Sequence, residues 1–137
     1  MATRAFLALP LDSAIAERLA EAQQVLAEAG AVVRWVAPET LHLTVKFLGD
    51  VTDEPLAEVS RATEQIAGAI EPFEFSVVGL SAVPPAGHLR MIWAGIDEPS
   101  GRLTALNEAA EGVCASLGFR SEMRQYHPHM TLGRVKS

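Results

Sequence analysis

From Leu41 to Phe47 apolar and polar residues alternate without a break, the period of two that a half-buried strand requires. Residues two apart on a strand share a face, so His42, Thr44 and Lys46 stand in one row. Leu41, Leu43, Val45 and Phe47 form the opposite row, which is expected to be buried. An imidazole, a hydroxyl and an ammonium in line suit an anion better than a plain solvated face. The chain closes on a similar stretch, His127-Pro128-His129-Met130-Thr131-Leu132-Gly133-Arg134, where His129 and Thr131 repeat the spacing. A lone His-x-Thr on a strand is most often an ordinary exposed pair. Two of them, on strands of matching register, constrain the fold and the chemistry together.

The remainder of the chain organises itself around these stretches. Arg4–Leu9 reads as a first strand stopped by Pro10, and Asp12 or Ser13 can cap the helix that follows. Ile15, Leu19, Ala22, Leu26 and Ala29 mark one face of that helix, and Gly30 suits the left-handed residue after it. Ala31–Val36 is a second strand and Pro38-Glu39-Thr40 a turn into the first motif. A helix is expected over Pro55–Ile70, with Asp53 and Glu54 at its positive end. Strands follow from Phe73 to about Val83 and from Leu89 to Ile96, an antiparallel hairpin around Pro84-Pro85-Ala86-Gly87. Ser100 can cap a third helix with the face Leu103, Leu106, Ala110, Val113 and Leu117, ended by Gly118.

Helix, glycine, short extended segment, proline and motif histidine thus occur twice, ending once at His42 and once at His129. Two such copies related by a rough two-fold axis predict an α+β fold of two lobes. Each lobe would have a pseudo-symmetric antiparallel sheet and outer helices, with a central cleft flanked by the two histidines.

A chain of 137 residues is read as one domain, 1–137, large enough for a core of its own. The apolar run Ala5–Leu11 is interrupted by Pro10 and is too short for a signal peptide or a membrane span. Cys114 is the single cysteine, which excludes an internal disulfide, fits a cytoplasmic location and reads as a packed thiol on a helix face. The net charge of −6 argues against coating nucleic acid through a broad basic surface, though not against a local Arg/Lys cluster that reads one or two phosphates. No glycine-rich phosphate loop or dinucleotide fingerprint is present, so no cofactor is indicated. His127 and His129 could share a zinc ion, but no carboxylate or thiolate is placed with them, so no metal is expected. His88 beside its turn reads as solvated. Trp35 and Tyr126 are candidates to stack a base, with core packing at least as good a reading for Trp35.

Arg34-Trp35-Val36-Ala37-Pro38-Glu39-Thr40-Leu41-His42-Leu43-Thr44-Val45-Lys46-Phe47-Leu48-Gly49 resembles the first motif region of the two-histidine phosphoesterases. Within that family it is most similar to the RNA 2′,3′-cyclic phosphodiesterases, also called 2′-5′ RNA ligases. Tyr126-His127-Pro128-His129-Met130-Thr131-Leu132-Gly133-Arg134 is similar to the second motif, and Arg4–Leu9 fits the first strand. Members continue past the second motif with strands that complete the second lobe, whereas this chain ends at Ser137, so a shorter second lobe is expected.

The resemblance implies opening of a terminal 2′,3′-cyclic phosphate to a 2′-phosphate without metal or cofactor, and a reverse 2′-5′ RNA ligase reaction. It implies His42 as proton donor and His129 as acceptor, roles the residues themselves do not distinguish. Thr44 and Thr131 would bind the non-bridging oxygens, with Arg134 adding a charge-assisted contact. Read from the residues themselves, Lys46 by its parity in the row and Tyr126 as a stacking ring are further substrate contacts. Strict alternation sets Arg134 on the face opposite His129, so its role requires a bulge or bend. The substrates expected are RNA ends or cyclic nucleotides, for a monomer with no membrane and no obligate protein partner. Two other readings stay open at this point: a phosphodiesterase of another small cyclic phosphodiester or 2′-5′ oligonucleotide, and a non-catalytic RNA-end binding module.

Overall fold

The computed structural model describes residues 2–30 and 32–136. The elements run β1 (Ala2–Pro10), α1 (Ser13–Glu28), β2 (Val33–Trp35), a 3₁₀ turn (Pro38–Thr40), β3 (His42–Thr52), α2 (Asp53–Ala69), β4 (Ser76–Val83), β5 (Met91–Asp97), α3 (Arg102–Ser116) and β6 (His129–Val135). Helices and strands therefore follow one another in the order the periodicities require. β1 and β3 form a two-stranded sheet, and the second sheet has the order β2-β6-β5-β4, antiparallel throughout. No helix among the described residues is long and apolar enough to cross a membrane.

Local chemistry explains most boundaries. The Asp12 carboxylate accepts from the Ala14 N–H at 3.1 Å and starts α1. Gly30 and Gly118, with φ of 96° and 94°, take the left-handed conformation just beyond the ends of α1 and α3. The start of α3 differs from expectation, since its N-cap is Gly101 rather than Ser100. The Glu98 carboxylate bonds the Leu103 N–H at 2.6 Å and the Ser100 N–H at 2.8 Å. These bonds, the Leu103 one foremost, hold its pKa below the ordinary carboxylate value. β4 begins at Ser76, because its pairing starts with Ser76 opposite Asp97. Phe73 and Phe75 precede the ladder. β2 is only three residues long; Ala31 of the expected strand lies outside the described residues, and Val36 follows its end.

The chain divides into two compact units, each with its own buried residues. The first comprises Met1–Ala8, Thr44–Phe75 and Glu98–His127. Its core includes Val45, Val51, Val59, Leu103, Ala110 and the Cys114 thiol, whose pKa is pushed up by burial. The second comprises Leu9–Leu43, Ser76–Asp97 and Pro128–Ser137. Leu19, Val33, Leu41, Leu43, Ile92, Ala94, Met130 and Leu132 are buried there. The division runs through β3 and just ahead of β6, so both motif histidines fall in the second unit. One histidine per repeat copy does not carry through to one per unit.

The second unit holds a polar group that the α1 pattern does not reveal. Gln23 is 6% exposed, and its amide donates to the carbonyls of Val36 at 2.9 Å and Leu132 at 3.0 Å. The Leu132 carbonyl also accepts the Val36 N–H at 2.9 Å, so Gln23 ties α1 to the junction of β2 and β6. Gln23→Leu is expected to cost about 1–2 kcal/mol, through the carbonyl left under-satisfied. A shift of the urea midpoint at unchanged m-value measures it, and an unshifted midpoint would refute the tie.

Candidate functional site

The second motif strand owes its geometry to one extra residue. Gly95 lies opposite His129, Ala94 opposite Met130 and Trp93 opposite Thr131, but the next pairs are Ile92 with Gly133 and Met91 with Arg134. Leu132 is therefore the unpaired residue of a β-bulge, and beyond it β6 changes phase. Directly opposed residues of an antiparallel pair project on one face. The face of Gly95, Trp93 and Met91 thus carries His129, Thr131 and, after the phase change, Arg134. The bulge that strict alternation demanded for Arg134 is present. The Leu132 carbonyl at this bulge is the one that Gln23 grips.

The same bulge turns Gly133 to the face shared with Ile92 and Ala94. A methyl group there would run into the Val33 Cγ1 and lie 3.0 Å from the Trp35 ring. Glycine at this motif position is thus a packing requirement of the close β2–β6 approach. Trp35, opposite Gly133, belongs to that inner face, which settles its two readings in favour of packing.

His129 is half-buried and stacks on the indole of Trp93, with ring centroids 3.7 Å apart and planes inclined by 18°. The stack restrains the imidazole through its face, whereas both ring nitrogens lie in the ring plane. Trp93 escaped the sequence reading because nothing in a single β5 residue announces a cross-strand diagonal neighbour. Its buried Nε1 has no protein partner.

His42 opens β3 immediately after the 3₁₀ turn. Its Nδ1 lies 2.8 Å from the Thr40 carbonyl oxygen. A carbonyl only accepts, so Nδ1 carries the proton, and Nε2 is the nitrogen at which the charge state can change. The turn that precedes the motif thereby fixes the tautomer. The Thr40 hydroxyl in turn donates to the Ala37 carbonyl at 2.8 Å.

In the first unit the strand after His42 is held at three consecutive residues. The Tyr126 hydroxyl donates to the Thr44 carbonyl at 2.9 Å, and the Asn107 amide donates to the Val45 carbonyl at 3.0 Å. Lys46 is 6% exposed. Its ammonium sits 3.0 and 3.1 Å from the two Glu111 carboxylate oxygens and 2.9 Å from the Arg120 carbonyl. Two hydrogen bonds and the ion pair commit Lys46 to α3 and the loop after it. The expectation that Lys46 contacts substrate is corrected accordingly. So is the row of Leu41, Leu43, Val45 and Phe47: the first three are buried, but Phe47 is 61% exposed and meets Phe6 of β1 at 5.8 Å between centroids. The Tyr126 hydroxyl is likewise engaged by backbone, whereas the stacking expected of this residue uses its ring. Burial pushes its pKa up to about 12, so the phenol remains a donor throughout the neutral range.

His127 and His88 are exposed. Among the described residues no three His, Cys, Asp or Glu side chains converge as metal ligands.

Residues 9–93 match the profile of the LigT-like phosphoesterases. The chain is 37% identical over 99% of its length to the RNA 2′,3′-cyclic phosphodiesterase of Methanothermobacter thermautotrophicus, covering 73% of that protein. It is 36% identical over 97% of its length to the enzyme of the same name from Archaeoglobus fulgidus, again covering 73%. The crystal structure of TT0787 of Thermus thermophilus superposes with a TM-score of 0.89 at 26% identity, over 98% of this chain and 75% of that one. E. coli LigT complexed with 3′-AMP gives a TM-score of 0.77 at 28% identity, over 100% of this chain and 76% of that one. The matches run through the first motif, both sheets and β6, where the residues described above reside. The chain belongs to the LigT-like phosphoesterase family.

Proposed function

We propose that this protein is an RNA 2′,3′-cyclic phosphodiesterase that opens a terminal cyclic phosphate to a 2′-phosphate by two-histidine acid–base catalysis. The observation that carries the reading is the bulge-phased row of His129, Thr131 and Arg134 on one sheet face. A proton acceptor, a neutral donor and a guanidinium in line match what a phosphodiester needs. The names of the relatives at 36–37% identity support the same substrate.

In the proposed reaction water attacks phosphorus as His129 takes its proton, and the P–O3′ bond breaks as His42 Nε2 gives a proton to the leaving oxygen. His42 and His129 flank a single phosphate and hold opposite charge states at the start of the cycle. The Thr40 carbonyl suits His42 to the acid role, because it accepts from Nδ1 in the imidazolium as well as in the neutral ring. Thr44 and Thr131 donate to the non-bridging oxygens, and Arg134 adds a charge-assisted contact. With a 5′-hydroxyl in place of water, the same two transfers open the cyclic phosphate to a 2′-5′ diester, the 3′ oxygen leaving with the proton from His42. The same reading takes the enzyme as a cytoplasmic monomer, in keeping with its lone buried thiol.

The test is product analysis on an oligoribonucleotide ending in a 2′,3′-cyclic phosphate, with and without exhaustive chelation. The expected product is the 2′-phosphate, formed at the same rate after EDTA treatment. A 3′-phosphate product would reverse the bond assignment. Loss of activity restored by added zinc or manganese would overturn the metal-free mechanism. Tight binding of the end without turnover would leave an RNA-end binding module in its place.

A further inference from the structure

The face that carries His129, Thr131 and Arg134 extends onto β2. Arg34 lies directly opposite Arg134 in the β2–β6 ladder, so two guanidinium groups project side by side from neighbouring strands. Like charges directly opposed in a sheet destabilise it, and nearby carboxylates would be the ordinary remedy in a chain of net charge −6. Among the described residues the ion pairs are Lys46–Glu111 and Arg102–Glu71, and neither involves these arginines. The Arg134 guanidinium donates only a weak 3.4 Å bond to the Met91 sulfur. Arg34, Arg134, Val135 and Lys136 line a depression of about 420 Å³, within the size range of small-ligand sites. Uncompensated positive charge is thus concentrated around a concavity next to the His129–Thr131 row.

We propose that Arg34, with Arg134 and Lys136, forms a second anion subsite that holds a backbone phosphodiester of the RNA upstream of the cyclic phosphate. This rests on the reading of the chain as an RNA end-processing enzyme and narrows its substrate to oligonucleotides. Two guanidinium forks offer the planar donor pairs that match phosphate oxygens, with the Lys136 ammonium as a point charge beside them. Arg134 stands between the two phosphates: the residues opposite Thr131 and Arg134, Trp93 and Met91, are two apart on β5, about 7 Å at the rise of a strand. That is the scale of a step from one backbone phosphate toward the next. Arg34, on the far side of Arg134, serves the upstream phosphate alone. A mononucleotide cyclic phosphate has no group to place there.

The experiment compares Arg34→Gln with the unaltered protein on cytidine 2′,3′-cyclic phosphate and on a short oligoribonucleotide ending in 2′,3′-cyclic phosphate. The ratio of kcat/KM for the oligonucleotide to that for the mononucleotide is expected to fall about tenfold in Arg34→Gln, mainly through KM. Arg34→Lys is expected to recover part of the ratio, since charge returns without the fork. The salt dependence of oligonucleotide binding, followed by fluorescence anisotropy with a 2′-phosphate-ended strand, should become shallower by about 0.7 in log–log slope, the share of one single-strand phosphate contact. An unchanged ratio together with an unchanged salt slope would overturn the subsite. If the unaltered protein hydrolyses neither substrate, the enzymatic reading fails. The anisotropy arm then still decides the subsite, through the change in slope alone.

Discussion

Replacing His42 or His129 by alanine is expected to slow opening of a 2′,3′-cyclic phosphate by 10²- to 10⁴-fold, about 3–5 kcal/mol of barrier, in a protein that still folds. Each substitution removes one proton transfer. The double variant is expected to lose less than the product of the two single losses, because acid and base act as a unit. Turnover should be bell-shaped in pH. The cycle needs one neutral and one protonated imidazole at the same time. The two limbs belong to the pair rather than to either ring. His42 has a structural reason to work at one nitrogen, since its Nδ1 is bound to the Thr40 carbonyl at 2.8 Å. His129 has its ring plane held by the Trp93 stack at 3.7 Å. Thr44→Ala and Thr131→Ala should cost less, since each removes a phosphate hydrogen bond and leaves the proton path intact. Wild-type turnover by folded His42→Ala or His129→Ala would refute the assignment.

The largest expected effect on stability is that of Glu111→Ala. It leaves the Lys46 ammonium, with a side chain 4% exposed, facing a single carbonyl. Breaking a buried pair from one side costs about 3–5 kcal/mol. The Glu111 side chain is 21% exposed, so solvent screening puts the expected loss near the lower end, about 3 kcal/mol. Against a typical domain stability of about 5–15 kcal/mol this is a large share. Glu111 also accepts the Glu122 N–H at 3.1 Å, so the loop after α3 should loosen with it. Lys46→Met removes the charge itself and should cost less. The double variant Lys46→Met/Glu111→Leu should recover much of the loss, because a buried pair and an apolar pair of similar volume are often equivalent. Urea unfolding of the unaltered protein, Lys46→Met, Glu111→Leu and their double variant gives the coupling directly. A Lys46→Met protein of unaltered stability but reduced turnover would return Lys46 to the phosphate and overturn the structural role given to it here.

These expectations show where residue pattern sufficed and where it did not. The period of two over Leu41–Val45 and the helical patterns beginning at Ile15, Pro55 and Leu103 depend on near neighbours, and they led directly to β3, α1, α2 and α3. Gly30 and Gly118 marked helix ends for the same reason: a left-handed residue after a helix is a local requirement. Paired His-x-Thr strands likewise identified the family, because each motif is a contiguous string.

What the pattern could not supply was decided by contacts distant in sequence. Lys46 has the parity of His42 and Thr44, yet Glu111, 65 residues on, claims its ammonium. Phe47 has the parity of the core, yet it lies exposed beside Phe6 on the two-stranded sheet. Arg134 has the wrong parity for the row of His129 until the Leu132 bulge rephases it, and the bulge is a relation between β6 and β5 rather than a property of either strand. Its carbonyl is tied by Gln23, 109 residues earlier in the chain. The Trp93–His129 stack and the Arg34–Arg134 pair are of the same kind. Alternation specifies which face a side chain takes relative to its own neighbours; only register across strands decides what shares that face.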